Sequence, residues 1–106
     1  MKVLLDEGVP GVIQKRLSHL PIFTVQQMGW RGVKNGALLD LMAGEFQVIV
    51  TADKNLPFQQ NLLKRQIYAI VLPTNRIRVV TSLLPKIESA LAAVVPGQFL
   101  QLTTED

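Results

Sequence analysis

Short β-branched or aliphatic runs alternate along the chain with longer stretches whose apolar residues recur every three or four positions. That alternation predicts a mostly parallel sheet of four or five strands with helices covering both faces, a three-layer α/β/α arrangement. Five runs read as strands: Lys2 to Leu5, Ile22 to Val25, Val48 to Thr51, Ile67 to Leu72 and, as an edge strand, Gly97 to Leu102. Val48 to Thr51 is apolar on both faces up to its last residue, which places it near the sheet's centre. Val9, Ile13 and Leu17 keep helical spacing, and Pro10 falls in the first turn, where its missing N–H is harmless. MGWRGVKNG (28–36) reads as a connecting loop with Asn35 as the N-cap of a helix carrying Leu38, Leu39, Met42 and Phe46 on one stripe. Leu56 to Arg65 reads as a loop and a helix. Pro85 interrupts a helical pattern from Arg76 to Val95 and should kink or split it. Residues 103–106 read as a frayed tail.

At 106 residues the chain has room for one small core, so residues 1–106 are expected to form a single domain. The 48% hydrophobic content suffices to bury that core. There is no cysteine, which excludes a disulfide framework and thiolate zinc sites. MKVLLDEG runs straight into strand pattern without a signal peptide, and no apolar run approaches the roughly 20 residues of a membrane span. A cytoplasmic protein with no membrane role is the expectation. The net charge of +3 is mild, but seven of the bases lie between Arg31 and Arg78 against three acids. That stretch suits a polyanion, although a solvated basic face explains it as well.

The candidate chemistry lies in the acids at strand ends. Asp6 and Glu7 close the first strand and Asp53 comes just after the third. In open parallel sheets the ligand crevice lies beyond the carboxyl ends of the strands. If the two strands are neighbours, these carboxylates converge where hard oxygen ligands suit Mg²⁺ or Mn²⁺. The plainer reading is that Asp6 and Glu7 favour a helix N-terminus and Asp53 caps the next turn. His19 reads as a helix C-terminal histidine ahead of a catalytic base, Trp30 as a loop residue packed over the core ahead of one that stacks on a base, and Gln59, Gln60, Asn61, Lys64 and Arg65 as either a phosphate groove or a polar helix face. No GxGxxG, Walker A or Ser-His-Asp arrangement is present.

Three segments in order, LLDEGVP, WRGVKNGALLDLM and VIVTADKNLP, resemble the PIN-like domains found as toxin components of toxin–antitoxin pairs, including the short branch known only as a domain of unknown function. The resemblance spans nearly the whole chain. It implies a PIN-like fold, an Mg²⁺- or Mn²⁺-dependent endoribonuclease activity, RNA as substrate, an antitoxin-like partner protein and a homodimer. By it Asp6, Glu7 and Asp53 are the catalytic acids: Asp6 and Asp53 bind the metal, and Glu7, the acid beside the first, assists or orients a bound water. Asn35, Asn55, Lys54 and Arg31 fall at positions that contact the substrate or support the metal-binding acids. Two positions depart from the pattern: Asn35 replaces the middle-helix acid and Asn55 the second acid after the central strand, with Leu56 where an aromatic is usual. Amides offer oxygen without charge, so the implied metal would be held more weakly and the nuclease would be weak or latent. The alternative is a non-catalytic module on the same fold that binds nucleic acid or protein. A receiver-type phosphoacceptor would need a lysine after the fifth strand, and GQFLQLTTED has none.

Overall fold

Strand β1 (Val3–Leu5) consists of three apolar residues that are all buried, because successive side chains of a strand point to opposite faces and both faces here are covered. Val3 and Leu5 join Val48, Val50, Tyr68 and Ile70 in one core, and Leu4 joins Ile49 and Ala69 in the other. The computed structural model describes residues 1–104. In it β1, β2 (Ile22–Thr24), β3 (Val48–Thr51), β4 (Tyr68–Val71) and β5 (Phe99–Gln101) form one parallel sheet in the order β2-β1-β3-β4-β5. Helices α1 (Val12–Arg16), α6 (Ile77–Ser82) and α7 (Leu84–Leu91) cover the first core through Ile13, Val80, Leu84, Ile87 and Leu91. Helices α2 (Val25–Met28), α3 (Asn35–Met42), α4 (Leu56–Gln59) and α5 (Leu62–Arg65) cover the second through Val25, Leu38, Leu39, Met42, Leu56 and Leu62. The chain is therefore an all-parallel five-stranded α/β protein with helices on both faces, and β3 is the central strand.

The chain leaves β1 toward β2 on one side and returns to β3 on the other, so its direction of winding reverses between β1 and β3. At such a switch point the crossover loops diverge and leave a crevice beyond the strand ends.

Several local expectations change. The second strand stops at Thr24 because Thr24 begins α2: its hydroxyl accepts from Gln27 N–H, and Gln27 Oε1 accepts from Thr24 N–H, a reciprocal cap. Gly29, at φ 76°, closes α2 in the left-handed conformation that a side chain disfavours. Asn35 is the first residue inside α3 and not its cap; Lys34 holds the cap position, and the Asn35 amide points elsewhere. The segment from Leu56 to Arg65 forms two single-turn helices parted by extended Gln60, the second capped by Asn61 Oδ1 accepting from Lys64 N–H. Pro85 does split its helix: α6 and α7 meet at Leu83, and Pro85 sits in the first turn of α7. His19 lies beyond the end of α1 and contacts Glu88 at 3.2 Å, so it does not cap the helix. Trp30 packs edge-on against Phe46, as a core-covering residue. In the expected tail Thr103 and Thr104 are exposed, and residues 105 and 106 lie outside the described residues. Among the described residues no helix is long and apolar enough to cross a membrane.

Candidate functional site

The site starts from ladder pairing. Leu5 is level with Val50, and Asp6 N–H donates to Val50 O at 2.9 Å, carrying the β1–β3 ladder one residue past the strand. Asp6 is thereby held opposite Thr51, the one polar side chain in VIVT and fully buried. Thr51 Oγ1 donates to Asp6 Oδ2 at 2.7 Å and accepts from Asp53 N–H at 3.0 Å. One hydroxyl therefore fixes both aspartates across the switch point.

Each carboxylate has further partners. Asp6 Oδ1 accepts from Glu7 N–H at 2.8 Å. Asp53 Oδ1 accepts from Asn55 N–H at 2.9 Å, and Asp53 Oδ2 from Asn35 Nδ2 at 2.6 Å. The turn-capping role considered for Asp53 is thus real, and it coexists with placement at the crevice. Burial pushes the Asp6 carboxyl above its ordinary range; the Thr51 hydroxyl and Glu7 N–H oppose that shift, while the charges of Asp53 and Glu7 add to it.

Glu7 is placed differently from the other two acids. Its exposed side chain reaches sideways, and Oε1 accepts from Gly32 N–H at 2.8 Å, tying the loop after β1 to the loop between α2 and α3. Among the described residues no three histidine, aspartate or glutamate side chains gather as a metal-holding group. Of the convergence expected of Asp6, Glu7 and Asp53, the structure shows Asp6 and Asp53 joined through Thr51, with Glu7 as a loop tether. Arg31, Lys34, Lys54 and Asn55 are exposed on loops at the same edge of the sheet. Asp40 is also exposed and pairs with Arg65 at 2.6 Å. Asp40, Arg65, Lys64 and Asn61 line a separate cleft of about 470 Å³ that touches neither aspartate.

Two contributors escape a reading by motif. Thr51 looks like the end of a strand until the register with Asp6 is known. Asn75, on the loop after β4, borders the turn after Asp6 so closely that a Cβ on Gly8 would lie 3.2 Å from its Nδ2. Gly8 also holds φ 88°, which disfavours a side chain.

No family model, curated protein or solved structure matches the chain.

The raised Asp6 pKa also bears on stability. A carboxyl whose folded pKa lies above its unfolded value holds its proton more tightly when folded. Its contribution is complete below the unfolded value of 3.8 and is lost as pH rises through the folded one. Wild type should therefore gain stability relative to Asp6→Ala as pH falls from 7 toward 4. Urea unfolding of both proteins across that range checks it; a stability difference independent of pH would contradict the burial of Asp6.

Proposed function

We propose that the chain is a divalent-metal-dependent endoribonuclease of the PIN-like kind, weak or latent in turnover, and the toxin-like component of a two-protein module. The observation that carries this reading is the pairing of Asp6 and Asp53 through Thr51 at the switch point between β1 and β3. Two carboxylates flanked by amide groups fit Mg²⁺, which binds through one or two carboxylates and keeps several waters for substrate phosphate to replace. When bound, such an ion would activate water and neutralise charge on the phosphate.

This chain's residues have definable parts in that chemistry. Asp6 and Asp53 supply the anionic oxygens; Thr51 holds the Asp6 carboxylate and the Asp53 main chain. Asn35 orients Asp53 by donating to it, and as a neutral residue adds no repulsion. Glu7 fixes the loop that carries Arg31. Arg31, Lys34 and Lys54, exposed on the same edge, are suited to the phosphates of a single strand. After β5 comes Leu102 and not a lysine, which disfavours phosphoacceptor chemistry.

A non-catalytic binding module is the second reading, favoured by one observation: all four carboxylate oxygens of Asp6 and Asp53 already accept hydrogen bonds from within the chain. Cleavage of single-stranded RNA by the purified protein with Mn²⁺, abolished by EDTA and restored by excess Mn²⁺, is the result expected of the nuclease. Salt-sensitive RNA binding without cleavage at high protein concentration would favour the module.

A further inference from the structure

Strand β5 is the outer strand of the sheet beyond β4, and all three of its residues are exposed. Ala69 N–H donates to Gln98 O, and Leu102 N–H donates to Val71 O. Because main-chain groups alternate sides along a strand, the even-numbered residues 98, 100 and 102 face β4, and the N–H and C=O groups of Phe99 and Gln101 point outward. Natural sheet edges are blunted by brevity, by a lysine, by a proline or by a bulge. β5 is short, at three residues, but QFLQL over 98–102 holds no lysine or proline, and its register with β4 is unbroken.

The surroundings of this edge are apolar on both faces. On one, Phe99 makes an edge-on contact with Phe58, which is 72% exposed, and Leu63, at 64%, lies beside Gly97. On the other, Leu100 borders an open groove of about 450 Å³ whose mostly apolar wall is Tyr68, Pro85, Ala90, Ala93 and Leu102, with Lys86 and Ser89 at it as well. The edge is also firmly set. A Cβ on Gly97 would fall 2.9 Å from Leu63 Cα, so the turn into β5 packs directly on α5, and Gly97 N–H donates to Ile67 O.

We propose that β5 pairs antiparallel with β5 of a second copy of this chain, with Leu100 opposite Leu100 on a twofold axis, joining two sheets into one of ten strands. The parity of the edge favours this occupant. In that register the outward-facing Phe99 of each copy lies opposite Gln101 of the other, and the two pairs exchange four main-chain hydrogen bonds. The leucines form the central non-hydrogen-bonded pair, where side chains approach most closely, and each reaches the other's mostly apolar groove. The strand carries no charge, so a twofold brings no like charges together along it. Since β5 is separated from β3 by β4, both acidic crevices stay open. Pairing through β5 is independent of the nuclease reading.

The chain has no cysteine, so a single introduced one reports pairing without interference. Under mild oxidation Leu100→Cys should form an intermolecular disulfide at least tenfold faster than Phe99→Cys, because only residue 100 faces itself across the axis. Sedimentation equilibrium of the wild-type chain should give twice 11.8 kDa at high micromolar concentration. Gln101→Pro removes two of the four bonds while sparing the β4 ladder, and should weaken dimerisation about tenfold or more with circular dichroism unchanged. A wild-type chain that stays at 11.8 kDa up to about millimolar concentration overturns the proposal. So does a dimer that Gln101→Pro leaves intact, with equal cross-linking at positions 99 and 100.

Discussion

Changing Asp6 and Asp53 together to alanine is expected to lower Mn²⁺-dependent cleavage of single-stranded RNA by about a thousandfold, to the level of protein treated with EDTA. A metal-assisted step draws several kcal/mol of transition-state stabilisation from the ion, and about 4 kcal/mol corresponds to that factor. Each single variant should lose nearly as much, because the two aspartates act as one unit and either alone leaves a single anionic ligand. The assay needs a folded control: the double variant must keep the wild-type circular dichroism spectrum. Retained cleavage in that variant would remove Asp6 and Asp53 from the chemistry and leave a contaminating nuclease or another site. The raised Asp6 pKa adds a pH signature. Metal ligation requires the carboxylate, so at limiting Mn²⁺, where ion and proton compete for Asp6, the Mn²⁺ concentration needed for cleavage should rise on acidification.

Replacing Thr51 by valine is expected to destabilise the fold by about 2–4 kcal/mol at pH 7, a large share of the roughly 5–15 kcal/mol that holds a domain together. Valine keeps the shape but removes both bonds of the hydroxyl. Asp6 loses its donor while still partly buried, and the Asp53 N–H loses its acceptor. Leaving such groups unmatched costs more than the net worth of the bonds themselves. The penalty should shrink as pH falls and Asp6 takes up a proton, and Thr51→Ser, which keeps the hydroxyl, should recover most of the loss. Urea unfolding of the three proteins at pH 7 and near pH 4 measures this. Equal stability of wild type and Thr51→Val would mean that the hydroxyl does not bridge the aspartates.

The strands were legible because each is a short, nearly continuous apolar run, and burial on both faces demands that composition. Pro85 was legible as a break because its chemistry is local. The same locality explains the errors. Asn35 has the composition of a helix cap, yet its amide is drawn to Asp53, eighteen residues away in sequence. His19 comes after a helix as a terminal histidine does, and its actual neighbour is Glu88, on α7. Such long-range partners overrule local preference, and no window of sequence contains both members. Glu7 shows the same limit: it reads as a third pocket acid, and it is tied to Gly32 because a loop far along the chain passes within reach.

The sequence by itself determined that Asp6 and Asp53 stand just past the ends of buried parallel strands, since apolar patterning sets where each strand stops and so which residues emerge at its carboxyl end. Tertiary structure alone decided that these two ends are adjacent. That depends on β2 and β3 pairing on opposite sides of β1, a choice made by global packing. It also decided that Thr51 joins the two aspartates, that Glu7 stands apart as a tether, and that Phe99 and Gln101 turn their main-chain groups outward. Each of these depends on register across strands far apart in sequence, which exists only once the sheet has formed.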